Sequence, residues 1–136
     1  MWQMTGKMRL TKGRCECGAV AFEVSHIRET VTVCHCSQCR RTSGHLWAST
    51  HARFDDLTFT QDAGLHWYAS SETAKRGFCT RCGSSLFYRM NDESGIGIAA
   101  GCLDDTSALR IGKHIFVADK GDYYARPGDA DVFEAG

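Results

Sequence analysis

The chain has 136 residues, and its 16 basic and 16 acidic side chains cancel to a formal charge of zero; that length suits one domain and is enough to bury a core. A neutral balance lacks the positive field that draws proteins onto nucleic acid. No run approaches the roughly 18 apolar residues of a membrane span, and residues 1–14 lack the apolar centre of a secretory signal.

Residues 1–12 have no clear period and hold three of the four methionines, so they read as a loosely ordered leader ahead of a single unit over 13–136. Fourteen glycines, one proline and short apolar runs without helical period predict a mostly β protein. Ala19 to Val24 and Thr30 to Cys34 read as β-branched strands, paired as a hairpin through the polar turn Ser25 to Glu29. One helical turn is expected through Ser37 to Arg41. Further strands are expected at Leu46 to His51, Leu57 to Thr60, Leu65 to Ser70, Ser85 to Tyr88, Gly95 to Ala100 and Ile115 to Ala118. Trp47, Trp67, Phe87 and Phe116 fall in these runs and are expected in the core or a pocket wall.

The expected compartment is the cytoplasm, where thiols stay reduced, so eight cysteines are expected to be metal ligands or nucleophiles rather than disulfides. Cys15-Glu16-Cys17 and Cys79-Thr80-Arg81-Cys82-Gly83 are two short cysteine turns of the kind that together place four sulfurs around one zinc. Gly83 can take the positive φ that turns backbone amides towards the sulfurs. Joining Cys17 to Cys79 closes a loop of 62 residues. That closure costs about 3.7 kcal/mol plus a constant, well below the roughly 10–16 kcal/mol of structural zinc binding.

A third cluster, Cys34-His35-Cys36-Ser37-Gln38-Cys39, offers three thiolates. Three protein ligands leave the fourth tetrahedral position open, which separates catalytic from structural zinc. A thiolate-rich zinc is a mild Lewis acid and a host for another soft ligand, such as a substrate thiolate. The site could instead be closed by Cys102, which also reads as a small buried residue at a strand end. His35 is the other alternative, although an extended backbone would turn it to the face opposite its neighbours. With seven thiolates and two zinc ions bound, the formal charge would fall to about −3, which further disfavours polyanionic partners.

Three segments together resemble the glutathione-dependent formaldehyde-activating enzyme family. They are Gly13-Arg14-Cys15-Glu16-Cys17-Gly18-Ala19-Val20, then Cys34-His35-Cys36-Ser37-Gln38-Cys39-Arg40-Arg41-Thr42-Ser43-Gly44, then Phe78-Cys79-Thr80-Arg81-Cys82-Gly83-Ser84-Ser85-Leu86. The resemblance implies an Mss4-like β-tent of small antiparallel sheets gathered at a structural zinc. It implies a structural zinc on Cys15, Cys17, Cys79 and Cys82 and an active-site zinc on Cys34, Cys36 and Cys39. It further implies carbon–sulfur lyase chemistry, the reversible joining of glutathione and formaldehyde. The chain departs from the family pattern at Cys102, where threonine is usual, and at Lys120-Gly121-Asp122-Tyr123-Tyr124, which replaces a proline–tryptophan ending.

The expected function is therefore a zinc-dependent carbon–sulfur lyase that adds a thiol such as glutathione to a small aldehyde or related electrophile, or releases it. Arg40 and Arg41 follow the triplet and are candidates for gripping substrate carboxylates. His45, His51, His66 and His114 are candidate general acids or bases. A non-catalytic protein-binding module with two structural zincs and a redox-sensing thiol cluster are the rival readings. Neither nucleic acid nor membrane is an expected partner.

Overall fold

A computed structural model of the chain describes residues 10–128 and 130–136. Residues 1–9 of the expected leader lie outside the described residues, while Thr11 and Lys12 already belong to strand β1 (Thr11–Arg14). Strands β2 (Ala21–Val24), β3 (Thr30–Cys34), β4 (Trp47–Arg53), β5 (Leu57–Gln61) and β6 (Leu65–Ala69) follow. Then come β7 (Ala74–Cys79), β8 (Ser85–Met90), β9 (Gly95–Ala99), β10 (Arg110–Ile115) and β11 (Asp131–Val132), and the described α-helix, α1, spans Ser37–Ser43. The protein is mostly β.

The strands form a three-stranded sheet, β1-β2-β5, and an eight-stranded sheet, β11-β10-β3-β4-β9-β8-β7-β6. Pairing is antiparallel except that β10 runs parallel to both β3 and β11. The expected hairpin between β2 and β3 does not form, because the two strands enter different sheets. The connecting segment spends its amides elsewhere: Ser25 N–H donates to Asp56 O and Arg28 N–H to His51 O. The strand expected at Ile115 to Ala118 is also corrected. β10 ends at Ile115, where Phe116 adopts φ 55° and a 3-10 turn covers Val117–Asp119. A left-handed residue breaks an extended run.

Strand β7 was not expected. Its sequence, AKRGFC, has no β-branched residue and no alternation, yet four of its six residues are buried. Gly77 explains part of this, since a Cβ there would stand 3.0 Å from both the Phe87 and Trp67 rings. Close packing of two aromatic rings over the backbone therefore decides this strand, overriding local propensity.

The small sheet packs its Phe22 and Val24 against Leu86, Phe87, Ile96 and Ile98 of the large one. Phe22 meets Phe87 edge-on at 5.2 Å and Phe59 does so at 5.7 Å. Full burial of each such ring contributes roughly 1.5–3 kcal/mol. Cys15 and Cys79 belong to the same buried cluster, so the core is continuous with the first cysteine site.

Candidate metal centres

Cys15 follows β1, Cys17 precedes β2, Cys79 ends β7 and Cys82 lies in the turn before β8. Their four sulfurs lie within 4.8 Å of one another and could hold one metal ion. Cys17 Sγ stands 3.7 Å from both Cys15 Sγ and Cys79 Sγ. A tetrahedron of zinc–sulfur bonds near 2.3 Å has an edge of about 3.8 Å, so this spacing fits zinc. Backbone amides converge on the sulfurs as they would on thiolates: Val20 N–H on Cys15, and Arg81 and Cys82 N–H on Cys79. Gly83, at φ 80°, turns the knuckle and donates its N–H to Cys79 O at 2.8 Å. The Ser84 hydroxyl, 3.2 Å from Cys82 Sγ, is the main cause that holds the Cys82 thiol down to about 5.

The second set is built at the junction of β3 and α1. β3 delivers Cys34, and Cys36 caps the helix with its own sulfur, which accepts the Cys39 N–H at 3.2 Å. An N-cap acceptor and the third helical residue are neighbours by geometry, so one helical turn brings Cys36 and Cys39 together. Cys34, Cys36 and Cys39 also lie within 4.8 Å of one another and could hold a metal ion. The hydrogen bond between Cys34 and Cys39 dominates their protonation: it pulls Cys39 down to about 6 and pushes Cys34 up. Among the described residues, no fourth histidine, cysteine or carboxylate joins this group.

One residue next to the triplet had no signal in the sequence. Arg76 of β7 is only 6% exposed, and its Nη2 donates to Gln38 Oε1 at 3.0 Å and to Cys39 Sγ at 3.5 Å. Its guanidinium lies 5.0 Å from the centre of the Tyr88 ring and 6.0 Å from that of Trp47. Register explains the meeting, because Arg76 pairs with Tyr88, Tyr88 with Gly97 and Gly97 with His51. In a cross-strand row such residues share a face. Trp47 and Tyr88 also wall a cavity of about 210 Å³ that extends over Thr32 and Ser49 to Arg28 and His51.

The remaining candidates separate. His35 turns away from the triplet and is 2% exposed, its Nε2 2.9 Å from His114 Nδ1 and its Nδ1 2.7 Å from the Tyr124 hydroxyl. Burial, then the neighbouring charges of His114, His45 and Lys120, lowers its pKa. His45 pairs with the Tyr123 hydroxyl, so Tyr123 and Tyr124 of the Lys120-Gly121-Asp122-Tyr123-Tyr124 segment hold His45 beyond the triplet and His35 within it. Cys102 sits in a 3-10 turn after β9, beside Cys15, with its thiol pushed up to about 12 by burial. It closes neither group. Burial raises the pKa of the Tyr124 hydroxyl and the charge of Arg40, half-buried in α1, partly opposes it, whereas Arg41 is exposed. His66 is on the outermost strand β6, against Phe78.

None of the eight cysteines forms a disulfide, and no helix among the described residues is long and apolar enough to cross a membrane. The chain is 25% identical over 127 residues to an uncharacterized lyase of Schizosaccharomyces pombe, covering 90% of this chain and 89% of that protein. A crystal structure of a Rhodobacter sphaeroides protein superposes with a TM-score of 0.60 at 28% identity, covering 76% of this chain and 98% of the other. Residues 10–119 match the glutathione-dependent formaldehyde-activating enzyme family. With both cysteine groups inside the matched span, the chain belongs to that family.

Proposed function

We propose that the protein is a zinc-dependent carbon–sulfur lyase that binds a thiol such as glutathione at Cys34, Cys36 and Cys39 and joins it to, or releases it from, a small aldehyde or related electrophile. The single observation that carries this reading is the division of seven sulfurs into a group of four and a group of three. Cys15, Cys17, Cys79 and Cys82 would hold a structural zinc, and the triplet a catalytic one. A zinc ion held by three thiolates supplies a vacant position for a soft ligand and lowers the pKa of a thiol placed there. Membership of the family and the lyase name of the yeast relative support the reaction class.

The chain's own residues shape the rest of the site. Trp47, the cross-strand partner of Cys34, and Tyr88 wall the cavity on this sheet face and would shield one side of a thiol bound at the triplet. Arg40, on the helix that carries Cys39, would grip a substrate carboxylate. His35 and His114 are buried against each other, which leaves His45 with Tyr123 as the exposed acid–base pair beside α1. The bookkeeping of the addition is neutral: a carbon–sulfur bond forms, the carbonyl oxygen gains the proton the thiol gave up, and nothing is oxidised. Cysteines kept reduced for metal binding, with no disulfide among them, accord with a reducing compartment such as the cytoplasm.

Native mass spectrometry of the reduced, zinc-loaded protein tests the proposal. The wild type is expected to carry two zinc ions per chain and to add one glutathione. Cys36→Ser is expected to carry one zinc and add none. A wild-type protein that carries two zincs yet binds neither glutathione nor any related thiol would end the enzymatic reading in favour of a structural module.

A further inference from the structure

Arg76 carries a full charge in a place where charges are rarely found. It is 94% buried by the exposure given above, and among the described residues it has no carboxylate partner. Its Nε lacks any hydrogen-bond partner. Arginines are almost never buried without a counter-charge, because removal of a guanidinium from water costs several kcal/mol. Among the described residues, the one ionisable acceptor to which Arg76 donates is Cys39 Sγ, its other partners being the uncharged Gln38 amide and the ring faces of Tyr88 and Trp47.

Three thiolates and a divalent ion sum to a net charge of −1, which would repel an anionic fourth ligand. A buried guanidinium in contact with one of those sulfurs brings the local sum to zero. We infer that Arg76 is the counter-charge of the Cys34/Cys36/Cys39 centre and the residue that makes its vacant position selective for an anionic ligand, a thiolate, over a neutral one. Arg76 is a positioning and specificity residue: it acts on the incoming sulfur through the electrostatics of Cys39. For the ligand's identity the inference rests on the thiol-binding reading. For the counter-charge itself it rests on a divalent ion held by the triplet, the contact with Cys39 and the burial of Arg76.

The placement of Arg76 also explains why β7 tolerates two adjacent cations, Lys75 and Arg76. Lys75 Nζ lies 5.0 Å from the Trp67 ring centre on the other face of the strand, whereas Arg76 faces α1. Gln38 fixes the guanidinium from the helix side while its own Nε2 donates to Ser70 O at 2.9 Å, so the side chain that holds Arg76 is itself anchored to the loop before β7.

Arg76→Gln and Arg76→Lys in the zinc-loaded protein test this with two probes, glutathione and neutral imidazole, followed by calorimetric titration. Arg76→Gln is expected to weaken glutathione binding about tenfold, the effect of one partly screened charge contact, and to leave imidazole binding within twofold. Arg76→Lys is expected to recover most of the loss. Equal losses for both probes, or no loss for glutathione, would overturn the inference. A second arm needs no thiol: under a competing chelator, the three-thiolate zinc of Arg76→Gln should leave about tenfold faster than in the wild type, while the four-thiolate zinc leaves at the wild-type rate. Unchanged release from the three-thiolate site would overturn the counter-charge role by itself. A wild type that binds no glutathione, together with accelerated release in Arg76→Gln, would instead sink only the thiol reading and the selectivity drawn from it. Where Arg76→Gln fails to keep its four-thiolate zinc, Arg76→Met, which fills the buried space without charge, replaces it in both arms.

Discussion

Gly83 shows how a single residue shapes the first metal centre. Its φ of 80° lets the Cys79 knuckle close, and a Cβ there would meet no atom within 4 Å. The cost of a side chain is therefore backbone strain alone, roughly 1–2 kcal/mol for an L-residue in the left-handed region. Gly101 is equally uncrowded and has no positive φ, so it serves as the control. Gly83→Ala is expected to lower the melting temperature of the zinc-loaded protein by several degrees, while Gly101→Ala leaves it within a degree or two. Equal melting temperatures for the two variants would show that the knuckle does not depend on this conformation. The cysteines and Gly83 could be read from spacing because a metal turn is local, with its ligands two or three residues apart. Arg76 could not, since its meeting with Cys39 spans 37 residues and exists only once α1 lies over β7.

At the scale of elements, the same distinction separates what could be read from what could not. Strands such as β3, β5 and β9 announce themselves by β-branched or apolar runs, and their limits fall within a residue or two of expectation. Their partners are another matter. β3 pairs with β10 in parallel, and no rule of local chemistry says that Thr30–Cys34 should find Arg110–Ile115 rather than the neighbouring β2. The polar β10 also hides its role, which includes placing His114 against His35. These pairings make the two metal centres unequal in their work. The four-cysteine group joins the β1–β2 and β7–β8 turns across 62 residues, and two of its members are in the core. The triplet is drawn from six consecutive residues at one strand–helix junction. Cys79→Ser is accordingly expected to destabilise the protein by several kcal/mol, approaching global unfolding, because it frees a long loop and weakens a site whose binding is coupled to folding. Cys36→Ser is expected to cost no more than about 1 kcal/mol, because serine keeps a side-chain acceptor at the helix N-cap and the triplet ties no distant segments together. Thermal melts of the two variants decide this, and equal severity would mark the triplet as structural.

For the molecule as a whole, the four-cysteine group stands where the small and the large sheet must be held together. The β1-β2-β5 sheet buries Phe22 and Val24 against the large sheet, a contact of few residues for two layers of unequal size. Domains of this kind are stable by roughly 5–15 kcal/mol in total, and a structural zinc supplies about 10–16 kcal/mol of apparent binding energy near neutral pH. The second quantity equals or exceeds the first, so the metal-free chain should not keep its fold. The sulfurs of Cys15 and Cys79, buried in the apolar core, would then be exposed along with Phe22, Phe59 and Phe87 around them. Treatment with excess chelator under reducing conditions is expected to abolish the cooperative thermal transition and the near-ultraviolet signal of the buried aromatic rings, and zinc addition is expected to restore both. Cadmium, another thiophilic divalent ion, should restore them too, whereas magnesium, which prefers oxygen ligands, should not. Retention of a cooperative melt after zinc has been shown by mass to be absent would mean that the two sheets hold together through Phe22, Phe87 and their neighbours alone, with the four sulfurs contributing function or regulation rather than the fold.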